Sequence, residues 1–463
     1  MFKPEVYKRR RENLKKLLSK GVYLIMGNNE TPMNYPDNTY HFRQDSNFLY
    51  FYGLDIAGMA AIIDIDNDKE IIFANDVDID DIIWMGPQPS VKELASKCLI
   101  NETQPFSELV DYLQKSKKAG RKIHFLPPYK HDNMIYLNKV LGVPFEKMKE
   151  EASLEFILAV VALRNVKEQV EIEEIDKACN IGYLMHTTSM KMTKPGLYER
   201  EIAGVMEGVS LSYGSVPSFP IILTKNGQTL HNHYHGNKLK EGDLLLQDAG
   251  AQTPMYYASD NTRTLPVGGK FTSKQKDVYE IVLNSINGSI KLMKPRVKYL
   301  DVHLSASEIL ASGLKDLGLM KGDIKEAVKL GAHALFMPHG LGHMMGLDVH
   351  DMEDLGQINV GYDEETRPSD IFGTAFLRMG RELKPGYVLT NEPGIYFIPE
   401  LIDIWKKERK FTDFINYDKL VAYRDFGGIR LEDDILITEN GSRILGEKRI
   451  PISVEEVESF MRG

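Results

Sequence analysis

Cysteine is nearly absent: Cys98 and Cys179 are the only two among 463 residues. Two thiols cannot build a disulfide framework, so stability has to come from a packed core, as in proteins of a reducing compartment. No uninterrupted apolar run approaches the ~20 residues of a membrane span. The N-terminus, Met1-Phe2-Lys3-Pro4 followed by a basic run, has no apolar segment of the signal-peptide kind. Positive charge is not in excess either, with 57 Lys and Arg against 66 Asp and Glu, a net charge of -9 and a pI near 5.8. That balance argues against a nucleic-acid partner and against binding to an anionic membrane. Together these absences predict a cytoplasmic protein. The local exception, Lys8-Arg9-Arg10-Arg11, reads as a solvated face of the first helix.

The length of 463 residues allows about three domains and, with the composition, agrees with an enzyme without identifying one. The 43% hydrophobic content supports a sizeable core. Residues 8–20 read as a basic amphipathic helix and residues 22–26 as a buried strand ended by Gly27-Asn28-Asn29. Residues 60–65 and 70–73 read as strands joined by the turn Asp66-Asn67-Asp68. A boundary is expected near residue 160. There Asn165 and Glu168 suggest a capped helix start, with Ile172, Ile175, Cys179 and Gly182 on one stripe. On that stripe Cys179 is expected to be a small core residue. Thr272 and Gln275 form a second capping box, and Val278, Ile281, Val282, Ile286 and Ile290 trace a face that stops at Pro295. No short-period repeat or low-complexity tract interrupts this pattern.

The densest chemistry is Pro338-His339-Gly340-Leu341-Gly342-His343-Met344-Met345-Gly346-Leu347-Asp348-Val349-His350-Asp351. Glycine lets backbone crowd a ligand or adopt positive φ. Imidazole is the commonest metal ligand and a proton carrier near neutral pH. Four acidic segments complement it: Gln247-Asp248-Ala249-Gly250, Ser259-Asp260-Asn261-Thr262-Arg263-Thr264, Asn391-Glu392-Pro393-Gly394 and Arg430-Leu431-Glu432-Asp433-Asp434. One histidine and four carboxylates make a hard, oxygen-rich donor set suited to two divalent cations. Carboxylates that bridge such a pair offset the repulsion between the ions, and a water held there becomes a nucleophile near neutral pH. A lone strand-end aspartate, by contrast, is commonly a turn cap. Asp248 ends an apolar strand and Asp260 follows Tyr256-Tyr257-Ala258, so a hairpin would set the two side by side. Strand alternation turns Asp433 away from the side of Glu432, and Asp434 is not assigned.

The ordered series Asp248, Asp260, His343, Glu392, Glu432 resembles the two-metal site of the proline-specific metallopeptidases, aminopeptidase P and prolidase. The segment Phe42-Arg43-Gln44-Asp45-Ser46-Asn47-Phe48-Leu49-Tyr50-Phe51-Tyr52-Gly53-Leu54 resembles the signature of their N-terminal domain. The resemblance implies an α/β (α+β) chain: an N-terminal domain of creatinase/prolidase type over 1–160, then a pita-bread catalytic domain over 161–463. It implies two divalent ions per subunit, Mn2+ foremost with Co2+ or Zn2+ accepted. Asp260 and Glu432 would bridge them, Asp248 would complete one, and His343 with Glu392 the other. It also implies a homodimer acting on peptides with proline at the second position.

Further roles come with the resemblance. Glu392 would handle the proton. His339 and His350 would contact substrate and stabilise the tetrahedral intermediate, which needs a donor aimed at the developing oxyanion. His231, seventeen residues before Asp248, matches another substrate-side histidine. His233 and His235 would share its face on a strand, where an independent metal site is the alternative. Arg430 either binds substrate or holds the carboxylates by an ion pair, and Arg263 carries the same ambiguity. His41, His124, His131, His186, His303 and His333 carry no motif. The long stretch between His350 and Glu392 and the segment 400–423 look like eukaryotic-type prolidase. The Ser259-to-Thr264 motif and the His231 spacing look like aminopeptidase P. The reading is therefore an Xaa-Pro aminopeptidase, with an Xaa-Pro dipeptidase as the alternative and a non-catalytic binding relative a remoter third.

Overall fold

The computed structural model describes residues 1–462 and divides into two compact units. The first comprises Met1–Arg164 and Glu353–Asn359, the second Asn165–Met352 and Val360–Gly463. The expected cut at 160 falls inside the helix Leu154–Asn165, and the division comes at its last residue.

The first unit is built on one mixed sheet. Its strands are β1 (Val22–Met26), β2 (Ala60–Asp64), β3 (Lys69–Phe73), β4 (Glu102–Gln104) and β5 (Ile123–Phe125), in the order β4-β3-β2-β1-β5. β1, β2 and β3 are antiparallel neighbours, while β4 and β5 pair in parallel at the edges. The turn between β2 and β3 forms at Asp66-Asn67-Asp68, with Asp68 at φ 49° and Asp64 accepting from the Asn67 amide. The helix Ser46–Tyr52 is buried along its whole length; Asp45 caps its start and Gly53, at φ 66°, ends it. A side chain at Gly53 would strike the Tyr7 ring, since its Cβ would lie 2.2 Å from Cζ.

The first helix spans Pro4–Lys15 rather than 8–20, and its basic run is not a uniform solvated face. Lys8 and Arg9 are exposed, whereas Arg10 and Arg11 are among the largest fully buried side chains. Arg11 donates to the Glu70 carboxylate at 2.7 Å and to the carbonyls of Phe51 and Cys98. Arg10 donates to the Tyr50 carbonyl and lies 4.0 Å from the Tyr50 ring centroid. A guanidinium is tolerated in the interior when carbonyls, a carboxylate or an aromatic face take up its charge, and sequence alone does not display the partners.

The second unit repeats one pattern: two long helices, then a three-stranded antiparallel sheet. Helices Gln169–Met192 and Glu199–Ser212 precede β6 (Ile222–Thr224), β7 (Leu244–Asp248) and β8 (Thr262–Pro266), ordered β6-β7-β8. Helices Ser273–Leu292 and Tyr299–Asp316 precede β9 (Val388–Asn391), β10 (Gly394–Tyr396), β11 (Gly428–Arg430), β12 (Asp433–Ile437) and β13 (Ser442–Ile444). Of these, β13-β12-β9 form the second sheet and β10-β11 a separate pair. The Thr272–Gln275 capping box forms as the spacing predicts. At the other helix the cap is Glu168, reciprocated by Glu171; Asn165 instead closes the preceding helix. Cys179 is buried within that helix, and both cysteines are free thiols. Among the described residues no helix is long and apolar enough to cross a membrane.

Candidate metal centre

Each candidate ligand sits at the end of a strand or in a loop held against one. β7 and β8 form the expected hairpin, with Asp248 opposite Thr262, so Asp260 arrives two residues before β8. Glu432 precedes β12, and its N–H donates to the Thr262 carbonyl while its Oε2 accepts from the Thr262 hydroxyl at 2.7 Å. That bridge ties the two sheets together at the cluster. His343 and Glu392 are carried on adjacent rails: amides of Met345, Thr390, Glu392 and Tyr396 bond to carbonyls of Val388, His343, Leu341 and Phe336 in turn.

The glycines of the histidine-rich loop serve this packing rather than a left-handed turn. None of Gly340, Gly342 and Gly346 has positive φ. A Cβ on Gly342 would fall 2.3 Å from the Thr390 carbonyl oxygen, and one on Gly340 2.5 Å from the Leu377 Cα. Only hydrogen fits where two backbones approach so closely.

Ligand atoms of Asp260, His343 and Glu432 all lie within 4.8 Å of one another. Among the described residues this is the one such convergence of three His, Cys, Asp or Glu side chains. His343 Nε2 is 3.4 Å from Asp260 Oδ2 and 3.9 Å from Glu392 Oε1. Its Nδ1 faces the Met344 carbonyl at 3.1 Å, so the proton resides there and the Nε2 lone pair points at the carboxylates. Asp248 lines the same cavity. Its Oδ2 accepts from Arg430 at 2.6 Å.

Asp248 Oδ1, Asp260 Oδ1 and Glu432 Oε1 are buried without a hydrogen-bond donor. Leaving a buried charged acceptor unsatisfied costs at least about 1–3 kcal/mol each. Burial, reinforced by repulsion from neighbouring carboxylates, raises Asp260 and Glu432 well above the usual carboxylate range. Burial likewise raises Glu392 to about 7. His343 is pushed well below its ordinary value, by burial first and by His350 second, and is neutral as a ligand must be. Hard anionic oxygens lacking donors, beside a neutral imidazole, fit divalent cations.

The cavity is about 550 Å³. His231, His339, His350 and Arg430 all line it. The His350 ring lies 4.0 Å from that of His343, centroid to centroid. His339 is fixed at both nitrogens: Nδ1 faces the Gly340 carbonyl at 2.8 Å and Nε2 the Tyr396 hydroxyl at 2.9 Å. Because the carbonyl can only accept, Nδ1 carries the proton and Tyr396 donates to Nε2. Arg430 donates to that hydroxyl at 2.8 Å. His339 therefore holds no ring N–H toward the cavity. Arg430 itself spends its fork on Asp248, Tyr396 and Thr262, the ion-pair reading of this residue.

Several expectations change here. Residues 229–236 form no strand; His233 lines the cavity, but His235 turns its Nδ1 to the Leu223 carbonyl, and among the described residues no second metal cluster forms. Arg263 is wholly structural, bonded to Asp433 and to the carbonyls of Thr262, Glu432, Ile450 and Pro451. Asp433 faces Arg263 and Arg449, away from the cluster. Sequence reasoning missed Tyr396, four residues after Glu392 and on the same face of β10 as Gly394, and Arg378, which lines the cavity from the long stretch before Glu392. Neither stands in a charged or histidine-rich motif.

Known proteins share the fold and family of this chain. Residues 173–439 match the family model "Metallopeptidase family M24", and residues 7–124 match "Aminopeptidase P, N-terminal domain". The Xaa-Pro dipeptidase of Homo sapiens is 32% identical over 454 residues, 96% of this chain and 89% of that protein. A probable Xaa-Pro aminopeptidase of Fusarium vanettenii is 34% identical over 424 residues, 91% of this chain and 87% of its own length. Zinc-substituted aminopeptidase P of E. coli, solved with product, superposes with a TM-score of 0.80 at 29% identity, covering 99% of this chain and 98% of that one. The chain thus belongs to metallopeptidase family M24, as a proline-specific metallohydrolase whose second unit is the pita-bread catalytic fold.

Proposed function

We propose that the protein is an Xaa-Pro aminopeptidase that releases the N-terminal residue preceding proline. The observation that carries this is the convergence of Asp260, His343 and Glu432 at the floor of a cavity also lined by Asp248 and Glu392. Asp260 and Glu432 would bridge two cations, Asp248 would serve one, and His343 with Glu392 the other; manganese is the proposed metal. Bound there, the ions supply a polarised scissile carbonyl and an acidified water. Glu392, which lines the cavity beside His343, accepts a proton from the attacking water as its oxygen adds to the carbonyl carbon. It then returns that proton to the proline nitrogen as the C–N bond breaks. His350 and His231 line the walls for substrate contact, while Arg430 and Tyr396 hold Asp248 and His339 in place. Catalysis in the cytoplasm by a homodimer is part of the proposal. The helix Ile79–Met85 buries none of its residues and leaves Trp84 86% exposed, an apolar surface suited to a second copy.

One observation favours the dipeptidase alternative: Arg378 lines the cavity, and its charge bears on His231, His339, His343 and Glu392. A guanidinium so placed can take the carboxylate of a C-terminal proline. Hydrolysis of Ala-Pro and Ala-Pro-Ala by manganese-loaded and chelated protein separates the two. Metal-dependent release of alanine from the tripeptide supports the aminopeptidase. Cleavage of the dipeptide alone makes the enzyme a dipeptidase, and cleavage of neither overturns both.

A further inference from the structure

Asp434 lies outside the proposed ligand set, yet it is 1% exposed, as buried as Glu432. Its Oδ2 accepts the backbone N–H of Asp260 at 3.0 Å and the Cys179 thiol at 3.3 Å. Taking a carboxylate out of water is costly unless its oxygens find donors, so these two contacts need a reason.

The local hairpin supplies one. Across it, the Ala249 N–H bonds to the Asn261 carbonyl and the Ser259 N–H to the Ala251 carbonyl. Successive amides of extended chain point to opposite sides, so the Asp260 N–H is turned away from its own hairpin partner. Asp434 supplies the missing acceptor. It comes from the other sheet, on β12, two residues after Glu432. One stretch of chain thus sends Glu432 into the cluster and Asp434 to the back of Asp260. A second tie runs beside the first, through the hydrogen bonds of Thr262 to Glu432.

We propose that Asp434 is a positioning residue for the metal centre: by gripping the Asp260 amide it fixes the backbone of Asp260 relative to Glu432. It thereby presets the separation of the two carboxylates that bridge the ions. Bridging ligands that can drift apart hold one cation but not a close pair, because the second must overcome the repulsion of the first. Cys179 donates to the same oxygen from the helix Gln169–Met192 and keeps the carboxylate from rotating off the amide. The inference rests on the two-metal reading of the site.

The test is titration of the metal-free full chain with Co2+, followed by visible absorption and calorimetry, for the wild type, Asp434→Ala and Asp434→Asn. Removing such outer partners of a metal site costs about 10–100-fold in affinity. Asp434→Ala is expected to weaken the second Co2+ equivalent by that factor and to change the cobalt spectrum. Asp434→Asn, whose amide oxygen still accepts from Asp260, is expected to restore two equivalents to within a few-fold of the wild type. Should the alanine variant not fold, Asp434→Ser takes its place, since its short hydroxyl cannot span to the Asp260 amide. Two equivalents of unchanged affinity in the folded Ala or Ser variant would overturn the inference, as would an Asn variant that loses as much as Ala. A wild type that binds fewer than two equivalents would instead overturn the two-metal reading on which it stands.

Discussion

At the scale of single residues, charge pattern and buried role part company at the first helix. Lys8, Arg9, Arg10 and Arg11 are one run in the sequence, yet two face water and two are locked inside the first unit. Nothing in the run marks the boundary; Glu70, the acceptor of Arg11, lies on β3 and is brought near only by the sheet. Arg11→Ala is expected to cost about 3–5 kcal/mol in urea unfolding, because the Phe51 and Cys98 carbonyls lose their buried donor and Glu70 keeps only Lys15. Lys8→Ala, whose pairing with Glu12 is exposed, should stay within about 0.5 kcal/mol. The five candidate ligands were legible because each stands in its own local motif and the five motifs fall in one order along the chain. Tyr396 and Asp434 were not, since a lone tyrosine or a third acidic neighbour carries no signal until its partners are in place. Glu392→Gln should reduce turnover of a proline peptide by about 10²–10⁴-fold; full turnover in that variant would remove Glu392 from the proton transfer.

Elements explain how residues so distant in the chain meet. The hairpin of β7 and β8 was readable from two apolar segments flanking the aspartates, and the capped helix Ser273–Leu292 from its spacing. The rails that set His343 beside Glu392 were not, because the loop around residues 336–345 has no periodicity; its hydrogen bonds go to short strands elsewhere. Its glycines were read as room for a ligand; Gly340 and Gly342 do line the cavity, and they are also room for neighbouring backbone. Gly342→Ala should therefore displace His343 and lower metal affinity at least tenfold, an outer-partner effect, together with a fall in melting temperature. An alanine variant that binds metal and melts like the wild type would show that the close approach to Thr390 is not required.

For the molecule as a whole, length and composition agreed with a large globular protein without identifying an enzyme, and the two helix-plus-sheet halves of the second unit were invisible in them. The halves share a topology and no sequence period that could have revealed them. Their meeting point concentrates carboxylates whose affinities for protons are raised by burial, and this has a consequence for stability. Between about pH 7.5 and 8.5 histidines are largely neutral whether folded or unfolded, so the raised carboxylates dominate there. Asp434 titrates at about 8 and Glu392 at about 7, with Asp260 and Glu432 also raised. The folded metal-free chain then binds more protons than the unfolded one, and its stability falls as pH rises from about 7.5 to 8.5. Between about pH 4.5 and 6.5 two sets oppose each other. Burial holds His303 and His339 at about 3 and His186 and His333 at about 4, so their contribution is lost as pH falls through that range while the carboxylates gain. Thermal melts of chelated protein should show stability falling from about pH 7.5 to 8.5. A chelated protein equally stable at about pH 7.5 and 8.5 would contradict the raised carboxylates.

The most direct measurement is calorimetric titration of the metal-free chain and of its Glu432→Gln variant with Mn2+, with Ala-Pro-Ala cleavage assayed at each point. Two equivalents in the wild type, activity that follows their binding, and loss of both in the variant are the predicted result. A wild type that cleaves the peptide without metal, or a variant that binds and cleaves as the wild type does, would contradict the account.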